Sequence, residues 1–306
     1  MAEAVAVLVM AYGGPDKIDD VEPYLQDIRG GRPTKPQLVE EIRARYARIG
    51  GRSPILELTR AQATAIGREL GTGFRVYVGM RHWHPYIRDT VAEIKRAGHR
   101  RLVGVVMAPH DSSMSIGAYE KKLLEATGSD IETTLVRSWW ANPHFLDTVA
   151  AHVTQALRRF PRPEDVQVIF TAHSLPRSIL ASGDPYPDEL QRTAQVLAAR
   201  LRLRPDQWSV AWQSAGRRPE PWLEPDAAAV LEQLAAQGHR DVILAPIGFV
   251  CDHVEILYDV DVEYQALARR LGLRLERPHS LNDDPLLIAT LDELARRAAR
   301  ERGWLA

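Results

Sequence analysis

The chain has 306 residues, with 39 basic and 40 acidic side chains, a formal net charge of −1 and a single cysteine. That length admits two ordinary domains or one large α/β unit, and the even charge balance gives no reason to expect nucleic acid as a partner. Cys251 alone excludes an intrachain disulfide and any cluster held by several cysteines of one chain, and it fits a reducing cytoplasm.

The first apolar run, within MAEAVAVLVMAYGGP, is preceded by an acid where a signal peptide would be basic. It is short and ends in a Gly-Gly-Pro turn, so it reads as a strand, and no apolar stretch is long enough to span a bilayer. The pattern of strand, polar loop and helix then repeats. Predicted strands are Val5–Met10, Phe74–Val78, Leu102–Met107 and Glu132–Val136, followed by a long helix from Pro143 to Phe160. Four more strands follow, Val166–Thr171, Trp208–Trp212, Val242–Pro246 and Leu273–Glu276. Amphipathic helices lie between, at Leu56–Leu70, Ile87–Ala97, Asp188–Leu201 and Pro225–Gln237, and a last helix, Pro285–Arg302, closes the chain. The expected architecture is α/β: two Rossmann-like halves, each a four-stranded parallel sheet flanked by helices. The halves are 1–150 and 151–306, with helix 285–302 packed back on the first.

The strand ends run into AYGGP, GMRHWHP, MAPHDSS and SWWANP, then TAHSLP, WQSAGRRPEPW and IGFVCDH. In open parallel sheets ligands bind beyond the carboxyl ends of strands, so two rows of loops could face one another across a cleft. GxGxxG, GxxxxGK[ST] and GxSxG are all missing, which removes the usual nucleotide and serine-hydrolase readings.

His173 ends the run VQVIFTAH. It reads either as a histidine at a strand end or as a neutral imidazole able to bind a borderline metal or take a proton. A helix opening near Asp252 carries Glu255, Asp259 and Glu263. At roughly 100° per residue these three advance only about 40° per step and share one face. Asp252 and Glu255 also have capping-box spacing, and Asp259, Asp261 and Glu263 also read as a solvated face. One histidine and one carboxylate with open positions would hold a metal loosely, unlike a closed four-ligand site. Arg29 to Arg60 holds eight basic and three acidic residues; it is either an ordinary basic surface or a mouth for carboxylates. Tyr12, Tyr46 and Tyr119, with Ile28 and Met114, offer flat apolar walls or plain core. His82 and His84 alternate about Trp83, and Trp139–Trp140 reads as packing.

In this order LVMAYGGP, IRGGRP, RYARIGGRSP, APHDSSMSIGAY, FTAHSLP, GDPYPDEL, WQSAGRRPEPWLEPD and GFVCDHVEILYDVDVEY resemble the ferrochelatases, from about Val5 to Leu294. Those enzymes insert Fe2+ into a porphyrin in haem synthesis. The resemblance implies that His173 and Glu255 handle iron at the porphyrin centre, with Asp259 and Glu263 as an acidic track behind. Tyr12 matches the axial tyrosine of the coproporphyrin III subgroup, and Arg29, Arg45, Tyr46, Ser53 and Tyr119 match its porphyrin contacts.

The implied reaction converts coproporphyrin III and Fe2+ to Fe-coproporphyrin (coproheme), by bending the macrocycle, delivering metal and removing pyrrole protons. Iron is then a substrate, no cofactor is tightly bound, and Cys251 alone cannot hold the [2Fe–2S] cluster of some relatives. The implied protein is a cytoplasmic monomer that makes transient contact with upstream and downstream haem-synthesis enzymes. Protoporphyrin IX ferrochelatase, a cobalt or nickel chelatase and a non-catalytic porphyrin carrier are the competing readings. Asp111 stands where the family commonly has an aromatic, which bears on one wall, and Ile256 replaces a common Thr or Val.

Overall fold

The computed structural model describes residues 4–216 and 219–305, so Arg217 and Arg218 of the GRRPEP motif, and Glu3 ahead of the first strand, lie outside the described residues. The chain runs β1 (Val5–Ala11), α1 (Val21–Ile28), α2 (Pro36–Arg48), α3 (Ile55–Leu70), β2 (Phe74–Met80), α4 (Ile87–Arg96), β3 (Arg101–Val106), α5 (Ile116–Thr127) and β4 (Glu132–Val136). The second half runs α6 (Pro143–Leu157), β5 (Gln167–His173), α7 (Tyr186–Leu201), β6 (Trp208–Gln213), α8 (Ala227–Ala236), β7 (Asp241–Pro246), α9 (Val254–Leu257), a π-helix (Asp259–Tyr264), α10 (Gln265–Leu271), β8 (Arg274–Glu276) and α11 (Pro285–Glu301).

Two parallel four-stranded sheets result, ordered β2-β1-β3-β4 and β6-β5-β7-β8. Every residue of β1 is buried, as are the first six of β5. Helices cover both faces of such sheets, so these strands are continuous apolar runs with no alternation. All eight predicted strands form, and β5 extends to His173, which pairs with Gln213 of β6. The predicted helices form with small changes at their ends; α8 starts at Ala227, two residues late, because the Asp226 carboxylate caps Ala228 N. Helices α1, α2 and α5 were not named from the sequence. Helix α1 is only eight residues long with a proline at its third position, and in α2 the arginines obscure the apolar stripe.

In each sheet the chain goes first to one side of the leading strand and then to the other. The switch points fall between β1 and β3 and between β5 and β7. Loops leaving adjacent strands there diverge and open a crevice. Tyr12 follows β1, and Met114 and Tyr119 follow β3; His173 ends β5, and the turn to Glu255 follows β7.

One apolar core joins the two sheets. Val103, Phe145, Phe170, Leu287 and Leu294 belong to the same buried cluster. Helix α6 starts sharply, with Pro143 at its first turn and Asn142 Oδ1 accepting from His144 N and Phe145 N. Residue 150 lies inside this helix. Helix α11, capped by Asp284, lies against α3 and α6 beside β3 and β4. There Arg296 donates to the carbonyl of Glu69 and Arg302 pairs with Glu132. Among the described residues no helix is long and apolar enough to cross a membrane.

Candidate functional site

His173 is held by backbone on both sides. Its Nδ1 is hydrogen-bonded to the Ser174 carbonyl, and the Tyr186 hydroxyl donates to the carbonyl of His173 at 3.0 Å. Nδ1–H is thus donated to the Ser174 carbonyl, and Nε2 is the ring nitrogen left to face the site. That atom lies 3.6 Å from Glu255 Oε1. The other carboxylate oxygen of Glu255 is 3.6 Å from Nε2 of His253, whose Nδ1 is bonded to the Cys251 carbonyl at 2.9 Å. Glu255 therefore sits between two imidazoles. Its backbone is fixed as well: Gln213 Nε2 donates to the Glu255 carbonyl at 3.0 Å, while Thr171 Oγ1 donates to Gln213 Oε1 at 2.7 Å. Between β7 and this helix, Gly248 passes over Ala172, and a Cβ on Gly248 would lie 2.5 Å from that of Ala172.

Burial pushes the Glu255 carboxyl up, but the imidazoles of His173 and His253 outweigh it and hold the group below its ordinary range. Burial opposes charge on His253; the hydrogen bond and charge of Glu255 outweigh it, so that imidazole is raised.

The helix differs from its sequence reading in two ways. It opens at Val254 with His253 at the N-cap, and no capping box forms. Asp252 instead faces the loop before α11, accepting from Ser280 Oγ at 2.6 Å and Asn282 Nδ2 at 3.2 Å, with Arg277 at 3.4 Å. Its own N–H goes to Asn282 Oδ1 at 3.0 Å, so Glu255 is not turned back onto it. Secondly, one short α turn gives way to a π-helix at Asp259, where Glu263 N reaches Tyr258 O at 3.0 Å. Residues four apart overshoot one turn of α-helix and fall short of one turn of π-helix. The mixed segment thus corrects the drift that a pure α-helix would impose along Glu255, Asp259 and Glu263.

Arg45 Nη1 lies 3.3 Å from Asp259, and its Nη2 is 3.6 Å from Glu263 and 3.4 Å from Glu41. The same guanidinium lies over the Tyr258 ring. Asp259 is buried and also accepts from Ser214 Oγ at 2.5 Å. Burial, opposed by that bond and by Arg45, pushes its carboxyl up to about 6. On the other side Arg277 grips Asp261 through two bonds of 2.7 Å. The acid track is thus pinned by one arginine from within and one from behind.

From the first sheet, Tyr12 is exposed while Tyr46, Tyr119 and Ser53 are buried. Burial raises the phenol pKa of Tyr46, Tyr119 and Tyr186, and the Glu255 charge adds to it. Ser53 Oγ accepts from Ile55 N at 3.4 Å and lies against Gly14, where a Cβ would come within 2.6 Å. Arg29 follows α1 as its C-cap and is exposed. Asp111 does not form an open wall: Arg137 takes both its carboxylate oxygens at 3.0 Å and also pairs with Glu120. His82 is buried with Nδ1 2.8 Å from Asp27 Oδ2, and His84 is exposed. Trp139 is packed in the core with Nε1 on the Val106 carbonyl. Sequence reasoning passed over His253, although its place two residues before Glu255 in a strand-end turn was a usable signal. It also passed over Arg81, which lies between the rings of Tyr12 and Tyr119. Among the described residues no three His, Cys, Asp or Glu side chains are arranged to hold a metal ion.

Two parallel sheets with loops converging from both switch points define a chelatase-type α/β protein. The sirohydrochlorin chelatase SirB from Bacillus subtilis subspecies spizizenii, in complex with cobalt, has this fold, with a TM-score of 0.62 at 9% identity, covering 98% of this chain and 97% of that one. The family model Ferrochelatase matches residues 4–299. A ferrochelatase from Herpetosiphon aurantiacus is 44% identical over 300 residues, covering 95% of this chain and 98% of that protein. A coproporphyrin III ferrochelatase from Geobacillus kaustophilus is 37% identical over 313 residues, covering 98% of both. The chain belongs to the ferrochelatase family.

Proposed function

We propose that this ferrochelatase inserts Fe2+ into coproporphyrin III, giving Fe-coproporphyrin, in a cleft between the halves 1–150 and 151–306. The observation that carries this reading is the convergence of His173 Nε2 on a Glu255 carboxylate flanked by a second imidazole. The similarity to relatives named for coproporphyrin III supports the substrate.

Metallation requires a desolvated cation, two departing pyrrole protons and nitrogen lone pairs turned out of the ring plane. A lone pair on His173 Nε2 and a carboxylate oxygen 3.6 Å away repel unless a proton or a cation stands between them. The pair therefore favours both arrivals in turn: a proton leaving a pyrrole, or iron on its way in. Glu255, held ionised, keeps that space negative. Asp259 and Glu263 continue it outward, with Arg45 as their present counter-charge. Tyr12 would ligate iron from the opposite face of the product, while Tyr46, Tyr119 and Ser53 shape the pocket and Arg29 takes a propionate. Arg45 would reach a propionate by leaving its acids.

Iron enters this scheme as a substrate, and no cofactor is needed. The protein would work as a cytoplasmic monomer, handing coproheme to the next haem-synthesis enzyme by transient contact. Anaerobic Fe2+ insertion, followed by porphyrin absorbance with coproporphyrin III and protoporphyrin IX side by side, tests the reading. Preferred turnover of coproporphyrin III is expected, and preference for protoporphyrin IX would overturn the substrate but not the reaction.

A further inference from the structure

We propose that Arg81 determines substrate specificity by taking a carboxylate on the tetrapyrrole rim, one that a four-carboxylate porphyrin carries and a two-carboxylate porphyrin lacks. This rests on the reading of Tyr12 and Tyr119 as cleft walls.

Arg81 is the first residue after β2, and its backbone is fixed from two sides. Its N–H donates to Ala11 O at 2.9 Å, and Lys122 Nζ donates to its carbonyl at 2.6 Å. The guanidinium carbon lies 5.6 Å from the Tyr12 ring centroid and 5.3 Å from that of Tyr119. Nη1 donates to Met114 O at 3.4 Å, and Nε is buried with no hydrogen-bond partner among the described residues. No carboxylate among the described residues lies within ion-pair distance of Arg81. Arg43, Arg45, Arg52, Arg137 and Arg277 each have one. The acid available in this neighbourhood, Asp27, is engaged by His82 Nδ1 at 2.8 Å.

Aromatic faces hold a guanidinium in place but leave most of its charge uncompensated. A fixed, forked, unpaired cation between two cleft tyrosines is complementary to a carboxylate arriving with the substrate. Arg81 also enters from the β2 edge rather than from the basic stretch on α1–α3. It can therefore serve a part of the rim that Arg29 does not, and the propionates of coproporphyrin III are spread over all four pyrroles. Arg45 is held by acids of the π-helix, which leaves Arg81 as the better-prepared cation.

The test uses full-length wild type, Arg81→Leu and Arg81→Lys. Coproporphyrin III and protoporphyrin IX binding is measured by quenching of tryptophan fluorescence, alongside steady-state Fe2+ insertion. Arg81→Leu should weaken coproporphyrin III binding and raise its KM by about tenfold, the scale of a lost charge-assisted hydrogen bond. Protoporphyrin IX affinity should stay within about twofold, and the loss should fall on KM rather than kcat. Arg81→Lys keeps the charge without the fork and should recover part of the discrimination. It also replaces the leucine variant if that one does not fold. Equal weakening of both porphyrins, or no weakening of either, would overturn the assignment while leaving the substrate reading intact. A wild type that binds both porphyrins equally would remove the substrate reading, and the Arg81 assignment with it.

Discussion

Nε2 of His173 faces Oε1 of Glu255 across 3.6 Å, and His253 stands at the same distance from the other oxygen of that carboxylate. The strand end and the helix start therefore present one acid between two bases. Removing His173 takes away the group on β5 while the tyrosine walls remain. His173→Ala should lower kcat by about 10²–10⁴-fold, the range of positioned proton-transfer groups, with porphyrin affinity by fluorescence quenching nearly unchanged. Normal turnover would exclude His173 from the chemistry.

His253 acts on Glu255 rather than on the substrate. Its imidazole helps hold the carboxyl below its ordinary range, against burial, which pushes it up. Replacing His253 by Ala removes one opposing cation, so the Glu255 pKa must rise and the ionised form must appear only at higher pH. The acidic limb of the kcat/KM profile should move upward in pH relative to wild type. An unmoved limb would separate Glu255 ionisation from catalysis.

Asp259 has the opposite sign. Burial raises its folded pKa to about 6 from the ordinary 3.8, so the folded protein binds this proton more tightly than the unfolded chain does. Its contribution to stability is present below about pH 4 and is lost as pH rises through about 6. The difference is on the order of 2–3 kcal/mol. Asp259→Asn cannot ionise. The melting temperature of this variant relative to wild type should therefore climb by several degrees between pH 4 and pH 7, and a flat difference would contradict the burial argument.

Arg277 holds the outer face of the π-helix through Asp261 and the preceding turn through Asp252. Arg277→Leu leaves both carboxylates without their cation in a part-buried place, at a cost of about 3–5 kcal/mol. A fall in melting temperature on the order of 5–10 °C is expected. Adding Asp261→Leu should restore part of it, because the stranded charge goes too.

The sheets were readable because the central strands β1, β3, β5 and β7 are apolar runs ended by Gly, Pro or His turns, and the repeated strand–loop–helix spacing places the edge strands beside them. The order of their loops brought His173 and Glu255 to the same edge. The π-helix was not readable from the acid spacing, and the arginines that pair with its acids, Arg45 and Arg277, lie about two hundred and about twenty residues away in sequence. Capping-box spacing at Asp252 was a real local signal, overridden by Ser280, Asn282 and Arg277. The resemblance matched Arg45 to a porphyrin contact, but a charge count along the chain does not show that Asp259 and Glu263 fold against it. Arg81 gave no sign because a lone arginine becomes informative only when its lack of an acid is visible in space.

Helix α11 carries a consequence for how the protein is made. It buries Leu287, Leu291 and Leu294 in the core beside β3 and β4, strands completed by residue 136. On the ribosome the first sheet emerges early, yet the part of its face that α11 covers, over β3 and β4, stays open until residues 285–301 have emerged. Closure of the first sheet is thus tied to helix α11, and a chain stopped short of residue 285 should expose apolar surface over β3 and β4 and aggregate.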